Sequence, residues 1–196
     1  MIRLALLRHG HTPWNRAGRI QGRSDIALDE DARSELAAQT LPAPWDHAHL
    51  VSSPLVRARE TAELVAGRAP TPDAALMEMN WGDWEGQQGR DLLADPNSGY
   101  RNLEDWGWDY RPPNGETPAE IWQRLKPWID ALPKGDTVAI CHIGIMRVIL
   151  ARAYGWGFTG PAPFAVKRNR LFVVEINHST LTPWPDPVRL LKGDNT

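Results

Sequence analysis

A chain of 196 residues is long enough for one domain with a substantial core, and 42% hydrophobic with 23% charged content is the balance of a water-soluble globular protein. A net charge of −2 gives no sign of a general nucleic-acid-binding surface but leaves room for a local positive pocket. The single cysteine, Cys141, excludes an internal disulfide. Arg3 and Arg8 interrupt the N-terminal apolar run, which argues against a signal peptide, and no apolar stretch is long enough for a bilayer, so a cytoplasmic protein without membrane or nucleic-acid partners is expected. The ten tryptophans read as core and lid packing.

Ile2 to Leu7 is a short apolar run that predicts a buried strand. Arg8 and His9 stand at its end, Gly10 allows a tight turn, and Thr12-Pro13 is a helix start with Thr as N-cap and Pro first in the helix. Strand end, turn and helix N-terminus together favour an anion, to which Arg8 adds charge. A histidine beside a bound phosphate can act as a nucleophile. Asn15 to Asp25 reads as a loop, Leu28 to Leu41 as a helix ended by Pro42-Ala43-Pro44, and Leu50 to Ser52 as a strand. Ser53-Pro54 repeats the cap-plus-proline signal and opens a helix through Val65 that carries Arg57 and Arg59, which on residue chemistry alone are solvated helix charges.

Pro70 to Pro72 reads as a loop, and the following stretch to Gly86 carries Glu78 and Glu85, each by itself an ordinary surface carboxylate. Residues 91–113, with Trp106, Trp108 and Tyr110, form the body of a lid-like insertion, about 86–116, expected to have short helices over the pocket. Thr117-Pro118-Ala119-Glu120 is a capping box, and the helix it opens should kink at Pro127, since an interior proline costs about 3 kcal/mol. Thr137 to Cys141 predicts a central strand ending at His142-Ile143-Gly144, then a helix from Ile145 to Tyr154 capped by Gly155. Leu171 to Ile176 and Thr180 to Thr182 are late strands around the turn Asn177-His178-Ser179. His11 reads as a pocket wall, and His47, His49 and His178 as loop or surface. Alternating strands and helices predict a single three-layer α/β/α sandwich with a mainly parallel central sheet. Ligands in such sheets bind outside the carboxyl ends of the strands, where Arg8-His9 and His142 fall.

Arg8-His9-Gly10-x-Thr12-x-x-Asn15 after an apolar strand resembles the R-H-G signature of the histidine phosphatase superfamily, which includes the phosphoglycerate mutases. Ser53-x-Leu55-x-Arg57-Ala58-x-x-Thr61-Ala62 resembles its second motif, and Glu78-x-x-x-Gly82-x-Trp84-Glu85-Gly86 its E-x-x-x-G-x-W-E-G segment. His142-Ile143-Gly144 with Arg147 resembles H-G-G followed by arginine, with Ile143 in place of the first glycine; Ala32 replaces a further family glycine. The resemblance covers residues 1 to about 182 and implies a phosphoglycerate mutase-like sandwich with one late antiparallel strand. It implies that His9 attacks phosphorus, that Arg8, Asn15, Arg57 and His142 bind the phosphate, and that Glu78 donates the proton. Glu85 is then structural, and no metal or other cofactor is needed.

Two readings compete from outside this chemistry. His9-x-His11 after a strand also fits a metal-dependent amidohydrolase, but that barrel typically needs ~250 residues and Arg8 would oppose the cation. A binding protein with lost chemistry would lack a catalytic position, and none is lacking. Within the family the short Glu78 to His142 interval favours a phosphatase over a mutase. The nearest type is the small bacterial one that includes α-ribazole-5′-phosphate phosphatase, and the partner expected is a small phosphorylated metabolite.

Overall fold

Leu4, Ala5, Leu6 and Leu7 are fully buried in the middle of β1 (Ile2–Arg8), the strand on which the sheet is built. The computed structural model describes residues 1–178 and 180–193. Parallel to β1 lies β5 (Gly135–Cys141), then β3 (His49–Ser52) and β4 (Thr71–Pro72), also parallel. On the other side β6 (Arg170–Asn177) runs antiparallel and pairs with β7 (Thr180–Pro183) and β8 (Val188–Arg189). Side chains alternate across a strand, so β1 feeds two cores. Leu4 and Leu6 pack with α5 (Pro118–Asp130) and α6 (Ile143–Tyr154), whereas Ala5 and Leu7 pack with α2 (Glu30–Ala37) and α3 (Val56–Ala66). Helices on both faces explain why β1 and β5 are continuous apolar runs. This is the expected sandwich. Its edges at β4 and β7 leave it an open sheet, which overturns the closed barrel of the amidohydrolase reading. Among the described residues no helix is long and apolar enough to cross a membrane.

Several local expectations change. Ser53 does not cap α3; the helix begins at Val56, whose N–H donates to Asp25 Oδ1 at 2.8 Å. A loop carboxylate distant in sequence therefore does the work assigned to the adjacent serine. The expected helix from Leu28 to Leu41 is confined to α2, capped by Asp29, and is followed by β2 (Gln39–Thr40), which pairs with β9 (Leu191–Lys192). The proposed loop 70–72 contains β4, and His49 opens β3. α6 begins at Ile143, with His142 at its N-cap. α5 continues through Pro127, which lies on the exposed side, where the carbonyl left without a donor can meet water. Of the late turn, Asn177 and His178 are described, while Ser179 lies outside the described residues.

Candidate active site

The parallel register of β1 and β5 sets Arg8 beside Cys141, and the His9 N–H donates to the Cys141 carbonyl at 3.1 Å. Two adjacent strand ends thus deliver His9 and His142 to one edge, with ring centroids 5.0 Å apart. His9 is 3% exposed, and its Nδ1 lies 2.6 Å from the Gly10 carbonyl. A carbonyl only accepts, so Nδ1 carries the proton and Nε2 keeps its lone pair. His142 is fully buried, with neither ring nitrogen hydrogen-bonded among the described residues. Burial, then the Arg57 charge, holds both imidazoles well below the usual histidine range, so both are neutral.

Arg57 is fully buried in the first turn of α3, and its Nη1 and Nη2 donate to the Ser24 and Gly22 carbonyls at 2.8 and 2.7 Å. Its Nε is buried and has no partner among the described residues. Those two carbonyls are fixed by Glu85, whose carboxylate accepts from Arg23 N–H, Ser24 N–H and the Ser24 hydroxyl. Thr61, one turn along α3, accepts from the Gly10 N–H at 3.0 Å and ties the helix to the His9 turn. Gly10 packs closely on α2: an added Cβ would lie 2.7 Å from Leu36 Cδ1, so that side chain would have to shift.

Arg8 makes no side-chain hydrogen bond among the described residues, and burial followed by the charge of Arg168 brings its pKa down to about 9. Glu78 is also buried, with Oε1 accepting from the Met79 N–H at 2.8 Å and Oε2 from the Gly144 N–H at 3.2 Å, at the start of α6. Its carboxylate is the charge that favours protonated Arg8, Arg57 and Arg147. Asn15 lies in α1 (Pro13–Arg16) behind the Thr12 cap; its Oδ1 accepts from the Thr12 N–H and its Nδ2 donates to Gln21 Oε1. His9, His142, Arg8, Arg57 and Glu78 therefore meet at the carboxyl ends of β1 and β5, with Asn15 on the adjoining helix turn. Arg59 is exposed, as are His47, His49 and His178, and His11 keeps a buried Nδ1 with no partner among the described residues.

Sequence reasoning missed Arg168, whose Nε donates to the His9 carbonyl at 3.1 Å. It also missed Arg124, whose Nη2 donates to the Met77 carbonyl at 2.7 Å and steadies the chain entering Glu78. Neither carries a local motif. The assembled site is a buried pocket lined by guanidinium groups and two neutral imidazoles, a site suited to a phosphoryl group.

Comparison with known proteins agrees with this geometry. The model of the histidine phosphatase superfamily (branch 1) matches residues 4–183. A "Probable phosphoglycerate mutase GpmB" of Erwinia tasmaniensis is 32% identical over 94% of this chain and 88% of its own length. A crystal structure of phosphoglycerate mutase from Thermus thermophilus is 30% identical, covers 96% of both chains and superposes with a TM-score of 0.71. A "putative alpha-ribazole-5'-P phosphatase" from Escherichia coli is 25% identical, covers 100% of this chain and 98% of its own, and superposes with a TM-score of 0.75. The matching family model, the relatives and the strand-edge cluster lead to one conclusion: this chain belongs to branch 1 of the histidine phosphatase superfamily.

Proposed function

We propose that the protein is a metal-independent phosphomonoesterase of the cytoplasm that acts on a small phosphorylated metabolite through a phosphohistidine at His9. The observation that carries this reading is the His9 ring, with Nδ1 held by the Gly10 carbonyl and Nε2 uncommitted between guanidinium groups. Nε2 attacks phosphorus and the bond to the leaving oxygen breaks. Glu78, protonated in the substrate-bound form, gives its proton to that oxygen, then as the carboxylate takes one from the water that attacks the phosphohistidine, releasing phosphate and restoring Nε2. Arg8, Arg57, His142 and Asn15 bind the non-bridging oxygens, and the arginines supply the positive charge that the transition state needs.

Rapid quench with labelled p-nitrophenyl phosphate tests it. An acid-labile, base-stable phosphoenzyme that disappears in His9→Ala is expected, and label persisting in His9→Ala would remove His9 from this role. The second reading is a mutase, favoured by the names of the curated relatives. Given 3-phosphoglycerate with 2,3-bisphosphoglycerate, the phosphatase reading expects phosphate release to exceed formation of 2-phosphoglycerate; the reverse order makes the protein a mutase. α-Ribazole 5′-phosphate belongs in the same substrate panel, because one structural relative carries that name.

A further inference from the structure

β6 runs antiparallel beside β1 with Leu171 opposite Leu7, so the chain entering β6 passes the end of β1 just where His9 lies. Asn169 adopts a left-handed φ of 58°, a conformation asparagine tolerates better than most residues, and this turns the chain immediately before β6. From that turn Arg168 reaches two acceptors. Its Nε donates to the His9 carbonyl at 3.1 Å, and its Nη2 donates to Asn15 Oδ1 at 3.0 Å. Oδ1 also accepts from the Thr12 N–H at 3.2 Å. With two donors on the oxygen, the Asn15 amide can have only one orientation, which turns Nδ2 the other way. One Nδ2 hydrogen goes to Gln21 Oε1, and the second remains available.

We infer that Arg168 is a positioning residue of this site, clamping the backbone of the His9 turn and the amide of Asn15 at the same time. The inference rests on the phosphohistidine reading of His9. The clamp fixes the nucleophile's backbone and aims an amide donor without contacting the reacting atoms. A guanidinium suits this task because its rigid fork reaches two separate acceptors, whereas an ammonium ion is a single point. The charge has a second effect. His9 faces Arg8 from its own strand, Arg57 from α3, Arg168 from the chain before β6 and the neutral His142 from the start of α6, and the three arginines oppose protonation of its ring. Burial and then the Arg16 charge bring the Arg168 pKa down to about 10, against the opposing charges of Asp29 and Glu35.

Arg168→Gln and Arg168→Lys test the assignment by rapid quench with p-nitrophenyl phosphate and by the pH profile of kcat/KM relative to wild type. Loss of hydrogen bonds from a charged donor predicts that Arg168→Gln slows the burst about 10–100-fold. Its acid limb should move to higher pH, because His9 then protonates more readily. Arg168→Lys should keep the limb near the wild-type position and recover only part of the burst rate. A burst within about twofold of wild type in Arg168→Gln overturns the assignment. So does an equal loss in both variants with the limb unmoved, which is what a merely structural residue would give. If circular dichroism finds Arg168→Gln unfolded, Arg168→Lys decides, and a full wild-type burst in it removes the two-point clamp. A wild type that never labels His9 fails the phosphohistidine reading itself; a labelled wild type with an unaffected Arg168→Gln fails the assignment to Arg168 alone.

Discussion

His9 and His142 are neutral bases held in a pocket that disfavours their charged forms, and this links the site to stability. Each has a folded-state pKa well below the ordinary 6.5, through burial and then the charge of Arg57. The unfolded chain therefore takes up protons first as the pH falls. Their neutral burial costs nothing from this source above about pH 6.5, and below that pH stability falls by up to about 1.4 kcal/mol per pH unit for each histidine. Urea midpoints should drop steadily between neutral pH and about pH 5, and His142→Gln should flatten the slope. An unchanged slope in that variant would assign the acid sensitivity to other groups. At this scale the motif residues His9, Arg57 and Glu78 could be singled out from sequence, whereas the Nδ1 contact that leaves Nε2 free is a feature of the folded turn.

At the scale of elements, the start of α6 shows how close the backbone and the catalytic candidate Glu78 must come. A Cβ on Gly144 would lie 2.4 Å from Glu78 Oε1 and 3.3 Å from Met79 Cβ. The carboxylate is the end of a flexible side chain, so Gly144→Ala should fold while Glu78 moves away from its two N–H donors. Alkyl leaving groups need a proton, whereas nitrophenolate leaves without one. Gly144→Ala should therefore slow the burst with an alkyl phosphate by ~10²-fold or more, within the general-acid range, and the p-nitrophenyl phosphate burst much less. Glu78→Gln is the reference for the same assay, and equal losses for both substrates would mean that Glu78 orients the phosphate instead. Ile143 in place of the family glycine is accommodated because it is the first residue of α6, where ordinary helical dihedrals suffice. The caps of α1 and α5 were legible because Thr12 and Thr117 bond within their own first turns. The cap of α3 was not, because Asp25 arrives from another loop.

For the molecule as a whole, the tryptophan-rich segment belongs to the same apolar core as α5 and α6. Trp106 stacks on Tyr110 with centroids 5.1 Å apart and on Phe158 at 6.0 Å, and meets Trp81 edge-on at 5.4 Å. Arg152 of α6 lies 4.0 Å from the Trp108 ring centroid, a cation–π contact that ties the segment to the helix. Trp106→Ala should cost about 3–5 kcal/mol, the range for emptying a buried aromatic site. Urea unfolding followed by tryptophan fluorescence and by far-ultraviolet circular dichroism should give one coincident transition, lowered in the variant. A separate early transition in wild type would make the segment an independent folding unit.

What the sequence determined by itself was local: the apolar runs of β1 and β5, the caps and prolines of the helices, and the strand-end placing of His9 and His142, while Arg57 and Glu78 stood out only through the resemblance to the family motifs. Those signals are readable because strand periodicity, capping and turn chemistry involve residues a few positions apart. Tertiary structure alone decided the rest. It turned Glu85 into the brace of the Arg57 loop and gave α3 a cap from Asp25. It also brought Arg168 to a carbonyl 159 residues away. That last contact depends on β6 pairing antiparallel with β1, and strand order in a sheet is settled by how two apolar faces are covered at once, a global packing condition that no short stretch encodes.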